Sequence, residues 1–98
     1  MLPKRSELEF CMEIFVVLRE YDSERLAQFA VAFPQKEPET RKVLEAMLRH
    51  LSKYGPNDKV DLTATVEYFQ EAGHKEAAQY LAAALIKRDP RDLYSRIV

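Results

Sequence analysis

Glycine, cysteine and long apolar runs are scarce in this chain, tryptophan is absent, and neither sign of charge is in excess. Each shortage removes a class of function. The only two glycines, Gly55 and Gly73, stand eighteen residues apart, so no glycine-rich loop exists to cradle a phosphate, and nucleotide hydrolysis is not expected. The lone cysteine, Cys11, cannot close an internal disulfide, which suits a reducing compartment. Together with two separated histidines, His50 and His74, it falls short of a zinc ion's ligand set, and neither a metal nor another cofactor is expected. The longest apolar runs, 14–18 and 80–86, stop far below the ~20 residues of a membrane span. Lys4 and Arg5 are followed by Glu7 and Glu9 rather than by an apolar segment, so no signal peptide is expected and the expected location is the cytoplasm. Fifteen basic residues against sixteen acidic ones leave a net charge of −1. That balance removes the bulk attraction behind nonspecific nucleic-acid binding, although a local patch can still supply it.

What remains is the composition of a packed helical globule. With 98 residues, 47% hydrophobic and 32% charged, the chain is too apolar for disorder and long enough to close one core without staples, so residues 1–98 read as a single domain. No stretch keeps the two-residue alternation of a strand, whereas apolar residues recur at helical spacing throughout. The pattern predicts an all-α, compact bundle of about six helices built from antiparallel hairpins.

Ser6 with Glu9 three residues on reads as a capping box that opens a first helix over about 6–21. Asp22 or Ser23 caps a second, about 23–33, which Pro34 ends. A third, about 38–54, starts on Pro38 and turns Leu44, Met47, Leu48 and Leu51 inward. After the break at Gly55-Pro56-Asn57-Asp58-Lys59, Asp61 caps a fourth over about 62–72, and beyond Gly73 an alanine-rich fifth runs to about Arg88. Its small side chains should let a neighbouring backbone approach closely. Asp89 and Pro90 start a short sixth, in which Leu93 and Ile97 can close the core.

The first helix is unusual in carrying two apolar stripes. Leu8, Cys11, Met12, Phe15 and Leu18 form one, and Phe10, Ile14, Val17 and Tyr21 the other, leaving a narrow polar edge of Glu9, Glu13 and Glu20 on which Val16 intrudes. A helix apolar on most sides is either central to its bundle or half covered by a partner. Phe10, Ile14, Val17 and Tyr21 are therefore the candidate partner-binding residues, for a protein partner or for a second copy in a homodimer. Cys11, among Leu8 and Phe15, reads as a buried structural thiol rather than a nucleophile. The glutamate edge reads as water-facing, because catalytic carboxylates need unlike environments to separate their pKa values.

The segment 61–90 resembles a single tetratricopeptide-type helical hairpin. Tyr68, Ala77, Leu81 and Ala84 fall at that family's spacings, with Pro90 one residue late, Thr65 where a glycine is usual, and Gly73 displaced by one. The resemblance covers about a third of the chain, with no second copy upstream, and implies close helix packing of the kind that builds peptide-binding grooves. The expected function is a noncatalytic protein–protein interaction module: an adaptor, chaperone-like or regulatory protein, and not an enzyme. The alternative is a small nucleic-acid-binding regulator using Arg41, Lys42, Arg49 and Lys53 of the third helix, with Lys36 nearby, although Glu37, Glu39 and Glu45 interrupt them.

Overall fold

Side-chain caps decide where the helices begin. In the computed structural model, which describes residues 6–18 and 22–88, α1 (Glu7–Val17) starts after Ser6, whose Oγ accepts the Glu9 N–H at 3.0 Å. Helix α2 (Ser23–Ala32) starts after Asp22, whose Oδ1 accepts the Arg25 N–H at 3.0 Å. Ser23, the other candidate cap, is buried and donates its hydroxyl to the Gly55 carbonyl at 2.6 Å. Helix α3 (Pro38–Leu51) opens on its proline, and α4 (Leu62–Glu71) follows Asp61, whose Oδ1 accepts the Thr63 N–H at 2.9 Å. Helix α5 (Lys75–Arg88) completes the described set.

The ends depart more from expectation than the starts. Helix α1 stops at Val17 with Leu18 as its cap, short of the expected 21, and residues 19–21 lie outside the described chain. Helix α3 stops at Leu51 rather than 54, because Lys53 and Tyr54 donate to the carbonyls three residues back, His50 and Leu51, and tighten the chain out of the α form. Helix α4 ends as Gly73 predicts. That glycine sits at φ +90°, its N–H meets the Gln70 carbonyl, and the His74 N–H meets the Phe69 carbonyl at 2.8 Å, the paired bonds of a left-handed helix stop.

Five helices are thus present among the described residues, not about six; the sixth expected helix, from Pro90 onward, lies outside them. The all-α class is as read from the sequence, and among the described residues the only extended pairing is an isolated bridge between Asp22 and Lys59. Helix α5 is the central support, packed against both α1 and α4, while α2 packs on α3 and α3 on α4. Of its five alanines, Ala77 and Ala78 are buried beside Leu81 and Leu85, Ala82 and Ala84 are half-buried and Ala83 is exposed. Phe15, Phe69, Met12, Leu26, Leu44 and Met47 are the largest wholly buried side chains. A Cα radius of gyration of 13.1 Å matches the ~13 Å of a compact globule of this length.

Candidate interaction surface

Eleven residues of helix can wind their buried positions onto one arc, and α1 does so with Leu8, Cys11, Met12, Phe15 and Val16. Val16, expected on the polar edge, is buried because that edge adjoins α5. The helix is therefore not surrounded by the others. Among the described residues it packs chiefly on α5 and more lightly on α3, and its opposite side is left largely open.

That open side carries Phe10, Ile14 and Val17, which share one face at spacings of four and three residues. Phe10 is 46% exposed and Val17 57%, with Ile14 half-buried between them. Phe10 is held from below, its ring centroid 6.3 Å from that of Phe33, which continues through Phe29 to the buried Phe15. Tyr21, the fourth candidate, lies outside the described residues, as does Glu20. Beside Val17 a shallow groove of about 240 Å³ runs between the C-terminal turns of α1 and α5, lined by Glu13, Val16, Val17, Ala84, Lys87 and Arg88.

The four candidate cations of α3 and its exit are all exposed, as are Lys36, Glu39 and Glu45. Lys42 and Arg49 share a face with Glu45 between them, and Lys53 is drawn over the Tyr68 ring, 5.2 Å from its centroid. They form a mixed surface rather than a continuous positive one.

Two polar constellations have no signature in the sequence. Glu7 reaches from the first turn of α1 to the start of α3, where Oε1 accepts the Glu37 N–H at 3.0 Å and both carboxylate oxygens meet the Lys36 N–H at 3.1–3.2 Å. Partial burial raises the Glu7 pKa, but the hydrogen bonds and the Lys36 charge outweigh it and hold the carboxyl below its ordinary value. The buried Thr40 hydroxyl lies beside the same carboxylate and favours its ionised form, while falling short of a well-formed hydrogen bond. The partners stand thirty residues apart, and only the missing side-chain cap at Glu37 hints at a need for one.

His50 is the second case. Only 7% exposed, it faces α4, where Nε2 lies 3.0 Å from the buried Thr65 Oγ1, and its ring stacks on Tyr68 at 4.8 Å and meets Tyr54 edge-on. Burial, then the Lys53 charge, push its pKa below the ordinary value. Thr65, out of place in the tetratricopeptide pattern, is here the polar partner of a core histidine. His74 is half-buried at the start of α5, its ring edge-on to Phe69. Cys11 is fully buried, and burial followed by the Glu7 charge pushes its thiol up to about 12. Among the described residues no group of three or more His, Cys, Asp or Glu is placed to hold a metal ion, and no helix is long and apolar enough to cross a membrane.

No family model matches the chain, and no curated protein or solved structure matches it either.

Proposed function

We propose that this domain is a noncatalytic protein–protein interaction module, of adaptor, chaperone-like or regulatory kind, working in the cytoplasm and docking its partner on the outer face of α1. The observation that carries the reading is the exposure of Phe10 and Val17 in line with Ile14 on a helix whose inner face is already packed. An amphipathic surface helix normally turns charge to water; anchors at spacings of four and three residues on the outer side match the way helices are recognised in partner grooves. The ring of Phe33 beneath Phe10 limits the ordering cost of binding. The tetratricopeptide likeness of 61–90 stands beside this as a likeness in packing alone, since α4 and α5 form a close hairpin with Ala77 and Leu81 buried.

A photo-crosslinking residue placed at Phe10 or Val17, with Arg49 and Gln79 as control positions, tests the proposal in native lysate. Capture of the same protein from both α1 positions and from neither control is the expected result. Equal capture from all four positions, or none from α1, overturns it.

The exposure of Arg41, Lys42, Arg49 and Lys53 supports a second reading, a nucleic-acid-binding regulator. Under it, Arg49→Glu with Lys53→Glu abolishes a salt-dependent binding to duplex or single strand. Absence of any such binding by the unmodified chain at low salt dismisses it.

A further inference from the structure

We infer that the α2–α3 hairpin, residues 22–59, is an acid-releasable unit: proton uptake at His50, and at lower pH at Glu7, loosens the two seams that hold it against α1, α4 and α5. Such a unit would exist whether or not α1 docks a partner.

Three features of the packing carry it. The first is hierarchy. Helices α1 and α4 pack extensively on α5, and α2 on α3, whereas the two groups meet more lightly, at α3 with α4 and at α3 with α1. The hairpin is thus an insertion between α1 and the α4–α5 pair.

The second is that the insertion is closed on itself. The Ser23 N–H meets the Asp58 carbonyl at 2.9 Å, its hydroxyl meets the Gly55 carbonyl at 2.6 Å, and the Glu24 N–H meets the Pro56 carbonyl. The bridge between Asp22 and Lys59 completes the stitching of entry to exit. A segment whose ends are bonded to each other can part from its surroundings in one piece, keeping its internal bonds.

The third is that a titratable side chain fastens each seam. At α3 with α4, His50 stands 3.0 Å from Thr65 Oγ1 and stacks on Tyr68; at α1 with α3, Glu7 accepts the Lys36 and Glu37 amides. Lys53 is the charge that bears on His50, with Thr65 and Tyr68 facing it from α4 and Tyr54 from the turn after α3. Lys36 is the charge that bears on Glu7, with Thr40 beside it on α3 and the Cys11 thiol on its own helix. Phe15 against Phe29 and Phe10 against Phe33 also cross the boundary. Acid leaves those ring contacts intact, so the opened hairpin stays a minority form whose population rises.

Burial, then the Lys53 charge, hold the closed His50 below 6.5, so an opened hairpin takes up the proton first and opening is favoured as pH falls from 6.5. The closed Glu7 is held below 4.5, so its fastening is whole above that value and is lost as pH falls through the lower folded one. The α3–α4 seam therefore loosens first. One proton taken up per opening raises the opened fraction by at most about tenfold per pH unit.

Hydrogen exchange in low urea, followed by mass spectrometry from pH 8 to 5 and corrected for the intrinsic rate of each amide, reads the opening. Amides of α2 and α3 are expected to share one opening equilibrium, about tenfold or more above that of α5, which rises as pH falls below 6.5. Helix α2 supplies none of the partners of His50 or Glu7 named above, so a pH response in its amides reports the hairpin moving whole. His50→Phe is expected to remove that response while α2 and α3 keep a shared equilibrium. Glu7→Gln is expected to raise the opened fraction at pH 7 and to keep the response. Circular dichroism checks that each variant is folded.

Equal protection of α2, α3 and α5 at every pH overturns the inference, because the hairpin would then part only when the whole domain unfolds. A separate opening that is indifferent to pH, a response in α3 without α2, or a response that survives His50→Phe overturns it as well.

Discussion

The Glu7 carboxylate caps a helix it does not belong to, accepting the Glu37 amide at 3.0 Å and so supplying α3 with the acceptor that its own N-terminal residues lack. A negative charge at that position also meets the positive end of the α3 dipole. Glu7→Ala should therefore destabilise the domain by about 1 kcal/mol, near the middle of the range for lost N-caps, as read by urea unfolding at neutral pH.

The same bond has an acid signature. Because the Glu7 pKa is lower in the folded chain than its ordinary 4.5, its contribution is whole above that value and disappears as pH falls through the lower folded value. Glu7→Gln should flatten the acid limb of the stability profile below about pH 4.5, leaving the neutral plateau lower. An unchanged acid limb would contradict this assignment.

His50 acts in a higher pH window. Its folded pKa is depressed from 6.5, so the unfolded chain takes up the proton first, and stability should fall as pH drops from 6.5 toward the folded value. A protonated ring would also sit buried near the Lys53 ammonium, which repels it. Denaturant midpoints collected from pH 8 to 5 should show the decline in the native chain and lose it in His50→Phe.

Thr65→Val removes the hydroxyl that faces His50 Nε2 without changing side-chain shape, and strands a buried imidazole nitrogen. A loss of about 1–3 kcal/mol is expected, with helix content unchanged. The hydroxyl's second contact, to the Asp61 carbonyl at 3.3 Å, makes Thr65→Ser the conservative control that should keep most of the stability.

At Gly73 space is not limiting, since a Cβ there would touch nothing within 4 Å; the backbone is. A φ of +90° disfavours any L side chain, so Gly73→Ala should cost about 1–2 kcal/mol through strain alone. A neutral substitution, measured by thermal melting, would mean that the α4–α5 turn relaxes at little cost.

Most of the framework is legible in the sequence because it is local. Ser6, Asp22 and Asp61 announce helix starts within three residues of the groups they cap, and Gly73 announces a stop. The inward face of α3 follows from its period, and so does the excess apolar stripe of α1. Long-range relationships are not legible. Val16 is buried because α5 arrives beside it, and nothing in the spacing of α1 alone indicates which edge that neighbour takes. Glu7 looks like an ordinary first-turn acid until α3 is placed against it. In the sequence His50 is one histidine of a ligand set that falls short, and Thr65 is a misfit to a repeat; only the packing of α3 on α4 makes them one pair.

The most extensive packing among the described helices joins α1 to α5, the first and last of them. During synthesis α1 emerges well before its main support, so its buried face, Val16 above all, lacks part of its cover until the alanine-rich segment clears the ribosome. A truncation that removed α5 would leave that face uncovered, a fragment prone to clump rather than a smaller working unit.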